Sequence, residues 1–229
     1  MQITWLGHSS FRIEIEDAVL LIDPWLTGNP SFPADRRAEA VRGTTHILLT
    51  HGHGDHTGDA VALSQELDVT VYGIYDLMSW LGTQGAKTTG FNKGGTVDLG
   101  GAKVTMVNAC HSSSTAGPNG PVPVGSEAGF MIAGNGHTIY VSGDTDIMAD
   151  MGWMGEYHAP DIGILSAGGF YTMDMKRAAF AARKYFNFKT VIPCHYRTLP
   201  ALAQDATDLV HGLPGVTVIE PQVLEPITF

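Results

Sequence analysis

Thr50-His51-Gly52-His53-Gly54-Asp55-His56-Thr57-Gly58 decides how this chain is read. Three imidazoles and one carboxylate fall within six residues, from His51 to His56. These are the donor types that Zn²⁺ and similar borderline cations prefer. The run His46–Thr50, with Ile47-Leu48-Leu49 at its centre, predicts a buried strand, and Asp59–Leu67 predicts a helix. The histidine block sits at the junction, where the backbone turns and successive side chains can point into one space. Gly52 and Gly54 let the loop close tightly around an ion. His51 and His53 are two apart, share a side of extended backbone and can hold one ion together. Asp55 and His56 follow at the turn and can face a second. Asp55 alone would read as a helix N-cap, and any one histidine as a packed or surface residue. The four together in this frame read as metal ligands.

Four ligands do not fill two metal sites, and three other apolar runs end on a ligand type. Val107-Asn108-Ala109-Cys110-His111 ends on histidine, Tyr140-Val141-Ser142-Gly143-Asp144 on aspartate, and Val191-Ile192-Pro193-Cys194-His195 on histidine. His46, His137, His158 and His211 lack this setting and are expected to be structural or surface residues. Cys110 and Cys194 directly precede His111 and His195. Strand neighbours point to opposite faces, so both cysteines are expected to face the core as buried free thiols rather than to bind metal.

Around these motifs the chain alternates short strands with helices. Ile3–Leu6, Ser10–Glu16 and Ala18–Ile22 predict strands, and the alternation of Phe11, Ile13 and Ile15 with Arg12, Glu14 and Glu16 marks a half-buried one. Thr27–Arg37 predicts a loop. Val69–Gly73 predicts a strand, Tyr75–Leu81 a short helix, and hairpins are predicted around Gly100-Gly101 and Gly134-Asn135-Gly136. Ser112–Glu127 is dense in Ser, Gly and Pro and predicts a long loop beside His111. Helices are predicted over Met173–Phe186 and Pro200–His211, with strands at Asp161–Leu165, Thr190–Pro193 and Val216–Ile219. The expectation is an α+β fold: two mixed sheets packed together with helices outside, in a single domain over residues 1–229.

The chain's 229 residues can bury a core without disulfides. Hydrophobic residues make up 44% and charged residues 16%, which is ordinary for a globular protein. The net charge is −10, and two divalent cations would bring it to −6. That balance argues against a nucleic-acid partner. No apolar run reaches membrane-spanning length, and Met1-Gln2-Ile3-Thr4-Trp5 does not read as a signal peptide. With only two cysteines, the expectation is a reducing cytoplasm. The expected partner is a small-molecule substrate, with no nucleic acid and no membrane; homo-oligomerisation is left open.

The set His51-x-His53-x-Asp55-His56, His111, Asp144 and His195 resembles the metallo-β-lactamase superfamily along essentially the whole chain. Trp5-Leu6-Gly7-His8-Ser9-Ser10-Phe11 and Asn92-Lys93-Gly94-Gly95 resemble a branch of metal-dependent hydrolases near the L-ascorbate-6-phosphate lactonases. The resemblance implies a four-layer αββα sandwich with two metal ions at one edge. It implies that His51, His53 and His111 hold the first, that Asp55, His56 and His195 hold the second, and that Asp144 bridges them. β-Lactamases with a thiolate ligand place a cysteine in the region of Asp144, so antibiotic hydrolysis is not the expected task.

The expected cofactors are two divalent ions, Zn²⁺ by ligand type, with Mn²⁺, Fe²⁺ and Ni²⁺ compatible. Such a pair can share a hydroxide and present it to an ester, lactone, amide or phosphoester. Asp55 is the candidate proton acceptor. By the resemblance, the loop carrying His8 approaches the metals, making His8 a candidate for hydrogen bonding to substrate or leaving group. Ser112, Tyr196 and Arg197 flank candidate ligands and are candidate substrate contacts. The main rival is an iron-dependent oxidoreductase, similar to persulfide dioxygenases, on the same fold. His53 argues against the diiron flavoproteins, which typically carry Glu there. A binding module that retains the metal site, or an RNA-processing nuclease, fits less well.

Overall fold

Short β-branched and apolar runs, punctuated by glycine and proline, form most of the strands. The structure, a computed structural model, describes residues 1–229. The first half contains β1 (Gln2–Trp5), β2 (Phe11–Ile15), β3 (Ala18–Ile22), a one-turn α1 (Arg37–Ala40) and β4 (His46–Leu48). A single turn α2 (Gly54–Thr57), α3 (Ala60–Leu67), β5 (Thr70–Ile74), α4 (Tyr75–Thr83) and β6 (Thr88–Phe91) follow. Next come β7 (Thr96–Leu99), β8 (Ala102–Asn108), β9 (Ser114–Gly117), β10 (Gly120–Pro123), β11 (Ala128–Gly134) and β12 (His137–Val141). The chain ends with α5 (Met151–His158), β13 (Ile162–Ser166), α6 (Met175–Tyr185), β14 (Thr190–Cys194), α7 (Thr207–Gly212), β15 (Thr217–Val218) and β16 (Pro226–Thr228).

Two seven-stranded mixed sheets result, in the orders β16-β1-β2-β3-β4-β5-β6 and β15-β14-β13-β12-β11-β8-β7. Each has an antiparallel part joined to a parallel part. In the first, β16 to β3 are antiparallel neighbours and β3 to β6 parallel. In the second, β7, β8, β11 and β12 are antiparallel and β12 to β15 parallel. The C-terminal ends of β8, β12, β13 and β14 therefore lie along one edge, where open sheets place their ligands.

One apolar cluster of 61 buried residues draws on both sheets, so they share a core. β2 alternates as its sequence dictates, with Phe11, Ile13 and Ile15 buried. β13 is buried along its whole length because the other sheet covers one face and helical segments the other. Phe188 packs against Gly163 on β13, and Tyr140 on β12 stacks on Phe186 with centroids 5.2 Å apart. No helix is long and apolar enough to cross a membrane.

Several elements depart from the sequence reading. Ser112–Glu127 is not a structureless loop: β9 and β10 pair antiparallel within it, with Pro121 opposite Ala116. Proline is tolerated there because the two-stranded ribbon leaves edge positions that need no amide donor. The helix predicted over Pro200–His211 forms only from Thr207, where Asp205 Oδ1 accepts the Thr207 amide at 2.9 Å and starts the turn. α5 was not expected, since Gly152 and Gly155 weaken an eight-residue helix. Packing requires the glycine, because a Cβ at Gly155 would collide with the Tyr185 carbonyl. Cys194 is buried as expected, but Cys110 is exposed. β8 ends at Asn108, two residues before Cys110, so strand alternation no longer governs it.

Asp161 ties β12, β13 and β14 together at the end of the sheet remote from the histidine block. Its carboxylate accepts the Thr138 amide at 3.0 Å and lies 2.8 Å from His137 Nδ1, with Lys189 Nζ at 3.7 Å. Burial opposes its charge, but these donors outweigh burial and hold its pKa below the usual carboxylate value. The stabilisation is therefore present above the unfolded pKa of about 4 and is lost as pH falls through the lower folded value. Asp161→Ala is expected to cost about 1–2 kcal/mol at pH 7, with the difference from wild type shrinking below about pH 4. Urea unfolding at neutral and acidic pH checks this, and a difference that grew with acid would contradict it.

Candidate metal centre

Strand ends carry every side chain of the candidate centre. The loop after β4 presents His51 and His53, α2 presents Asp55 and His56, and His111, Asp144 and His195 follow β8, β12 and β14. Residues distant in sequence are thereby brought together. Ligand atoms of His51, His53 and His111 lie within 4.8 Å of one another, as do those of His8, Asp55, His56 and His195, and those of His51, His56 and Asp144. Asp144 Oδ2 is 3.1 Å from His195 Nε2, 3.3 Å from His56 Nε2, 3.7 Å from His111 Nε2 and 4.0 Å from His51 Nε2. His46, His137, His158 and His211 stay outside these groups.

The donor set fits cations better than it fits itself. His51 Nε2 and His53 Nδ1 are 3.0 Å apart. Two ligands about 2.1 Å from one tetrahedral ion lie about 3.4 Å apart. His56 Nε2 is buried without a hydrogen-bond partner, although it lies beside Asp144. Burial, reinforced by neighbouring imidazoles, keeps His51, His53 and His111 below the usual histidine pKa. Their ring lone pairs are therefore free to bind metal. Burial also works against charge on His56 and His195, yet Asp144 outweighs it, with Asp23 helping at His56 and Asp55 at His195. His56 is raised well above its ordinary value and His195 is pushed up to about 9. Burial likewise disfavours the Asp144 and Asp55 anions, but the surrounding histidines hold both carboxyls well below the usual range. Asp55 and Asp144 therefore favour positive charge on the groups around them.

Outer contacts fix the ring orientations. His56 Nδ1 lies 2.8 Å from Asp23 Oδ2, which leaves Nε2 aimed inward. Asp23 also accepts the Thr50 amide at 2.8 Å and the Thr50 hydroxyl at 2.6 Å. The Thr50 oxygen in turn lies 3.0 Å from His51 Nδ1. One buried carboxylate therefore orients two candidate ligands. Asp23 was not among the sequence-predicted site residues; its signal was a carboxylate at the C-terminal end of a strand beside β4. Backbone strain gathers at the same place. His8, Asp23 and His195 have φ of 53°, 46° and 57°, in the left-handed region, at roughly 1–3 kcal/mol each. The His8 carbonyl accepts both the His195 amide at 2.9 Å and the Trp5 indole N–H at 2.8 Å, locking the two sheets' loops together.

A cavity of about 410 Å³ opens above the cluster, floored by His53, Asp55, His111, Asp144 and His195. Trp25, Tyr171 and Leu199 form its walls, with Ser112 at the mouth. None of these three wall residues was singled out in the sequence, because each is an ordinary apolar or aromatic residue in a loop. Of the proposed substrate contacts, only Ser112 lines the cavity, its Oγ 3.4 Å from His53 Nε2. His8 is buried and lies 3.0 Å from Asp55 Oδ2, behind the cavity rather than in it. Tyr196 is fully buried and stacks on Trp5, so it is a core residue. Arg197 is exposed and lies over the Tyr196 ring rather than in the cavity wall.

The family model described as Beta-lactamase superfamily domain matches residues 19–196. UPF0173 metal-dependent hydrolases of Cereibacter sphaeroides and Paracoccus denitrificans are each 72% identical to this chain. The matches cover 100% and 99% of this chain, respectively, and the same shares of the relatives. Among solved structures, Igni18, a metallo hydrolase from the archaeon Ignicoccus hospitalis, superposes with a TM-score of 0.84 at 31% identity. It covers 100% of this chain and 98% of that chain.

Removing Asp23 takes away the outer contact of His56 and the anchor of the Thr50 hydroxyl that meets His51. Asp23→Ala is expected to weaken metal affinity about 10- to 100-fold, measured by competition with a chromophoric chelator. Wild-type affinity in that variant would show that the carboxylate does not orient the site.

Proposed function

The chain belongs to the beta-lactamase superfamily, and we propose that it is a metal-dependent hydrolase cleaving an ester, lactone, amide or phosphoester bond in a small molecule. The observation that carries this reading is the convergence of two carboxylates and five imidazoles at one solvent-open cavity, lined by His53, His111 and His195 with His51 and His56 buried beneath. His51, His53 and His111 would hold one divalent ion. Asp55, His56 and His195 would hold a second, and Asp144, within 4.0 Å of four of these imidazoles, would be shared. Zn²⁺ is the first expectation from the donors, and Mn²⁺, Fe²⁺ and Ni²⁺ suit the same atoms. When bound, the ions supply Lewis acidity, which makes water a stronger acid and polarises the attacked oxygen.

The chain's own groups do the positioning. Asp55 lines the cavity, with Oδ2 turned toward His8 and His195, and it is the carboxylate placed to accept a hydrogen bond, then a proton, from the attacking water. His8 Nε2 holds that oxygen from behind, which makes His8 a positioning residue for Asp55. Ser112 Oγ stands where substrate enters and can donate to it. Trp25 and Tyr171 narrow the opening and reduce access of bulk water. The free thiols of Cys110 and Cys194 suit a reducing compartment such as the cytoplasm.

A metal-quantified sample assayed against lactones, thioesters, phosphodiesters and β-lactams tests the proposal. At least one bond class is expected to be cleaved, with loss on chelation and recovery with Zn²⁺ or Mn²⁺. Asp55→Ala is expected to lower kcat by about 10²–10⁴-fold. Near-wild-type turnover in a metal-replete Asp55→Ala variant would remove Asp55 from the chemistry. Oxygen consumption without any hydrolysis would favour the iron-dependent oxidoreductase instead.

A further inference from the structure

Both cavities that share His53 lack a lysine or arginine side chain. The larger, about 410 Å³, is within the range of small-molecule sites. Its only charged or ionisable side chains besides Tyr171 are the candidate metal ligands, and its remaining walls are Trp25, Tyr171 and Leu199 with Ser112. The neighbouring cavity, about 390 Å³, runs under β9 and β10 and is lined by small residues such as Ser114, Thr115 and Gly117, with no charged side chain. No lysine or arginine lines either cavity. The chain's net charge, −10 alone and −6 with two divalent ions, adds a long-range field that repels anions.

Two of the apolar walls are unusually exposed. Tyr171 is 54% and Leu199 36% accessible, and Tyr171 lies edge-on to His195 with ring centroids 6.4 Å apart. Trp25 meets the His8 ring edge-on at 5.2 Å on the facing side of Asp55. Exposed aromatic surface beside a polar reaction centre offers an apolar group a place to leave water. A phosphate or sulfonate remote from the scissile bond would meet no guanidinium or ammonium there, and it would lose its hydration without a partner.

We propose that the substrate is uncharged away from its scissile bond and carries an aromatic or branched apolar group, which lodges between Trp25, Tyr171 and Leu199. This specificity rests on the hydrolase reading of the same site. It disfavours phosphorylated lactones and other substrates anchored by a second anionic group. Tyr171 and Leu199 are the specificity-determining side chains, because they are exposed and contribute little to the core.

The test compares two acetamides, each first checked to survive incubation with the protein, by titration calorimetry on the full-length, metal-quantified protein. One is N-(2-phenylethyl)acetamide; the other is N-(2-sulfoethyl)acetamide, in which a sulfonate, a weak metal ligand, replaces the phenyl ring. The phenyl compound is expected to bind at least tenfold more tightly, and Tyr171→Ala or Leu199→Ala to reduce that affinity at least threefold. Equal or tighter binding of the sulfonate overturns the inference, as does phenyl binding that neither substitution weakens. The two readings fail separately. Selective binding of the phenyl compound by a protein that cleaves nothing in the hydrolysis panel would sink the hydrolase and leave the pocket assignment standing. Efficient cleavage of sulfonate-bearing esters would do the reverse.

Discussion

Two carboxylates, Asp55 and Asp144, lie among five imidazoles at the ends of buried strands, and this arrangement demands positive charge. Burial opposes charge on Asp55 and Asp144, yet the neighbouring histidines hold both carboxyls below the usual range. Divalent cations meet the same demand with more charge and with geometry that imidazole and carboxylate both satisfy. His51, His53 and His111 already present neutral rings. The site is therefore divided, with the imidazole trio of His51, His53 and His111 on one side and Asp55 and Asp144 beside His56 and His195 on the other.

The scaffold accepts local strain to maintain that arrangement. His8, Asp23 and His195 sit in left-handed backbone, and Gly143 turns sharply just before Asp144. A Cβ at Gly143 would press on the Ala128 carbonyl and Thr50, and one at Gly168 would collide with the His195 carbonyl. Behind Asp144, Ser166 Oγ donates to Oδ1 at 3.2 Å. Asp23 holds His56 directly and His51 through Thr50, while the backbone bond between His8 and His195 joins the first sheet to the second. The centre thus depends on how the two sheets meet, and it is built by neither alone.

Much of this was legible in the sequence. His51 to His56, His111, Asp144 and His195 could be recognised because each follows an apolar run and is a metal-ligand type. The first three strands and both glycine hairpins had clear alternation and turn chemistry. What escaped lacked local signal. Asp23 resembled an ordinary strand terminator, and its role depends on a neighbour 33 residues away. Trp25, Tyr171 and Leu199 acquire meaning only from the cavity they enclose. α5 was hidden by Gly152 and Gly155, the second of which tertiary packing requires, and β9 and β10 by a composition typical of loops. Tyr196 was misread for the opposite reason: adjacency to His195 suggested the cavity, but the next side chain along the chain faces the core.

The most direct measurement is anomalous diffraction at the zinc absorption edge from crystals of the zinc-loaded protein. The account predicts two peaks, one among His51, His53 and His111 and the other among Asp55, His56 and His195, with Asp144 in reach of both. An empty pocket under saturating zinc, or peaks held by other residues, would contradict it.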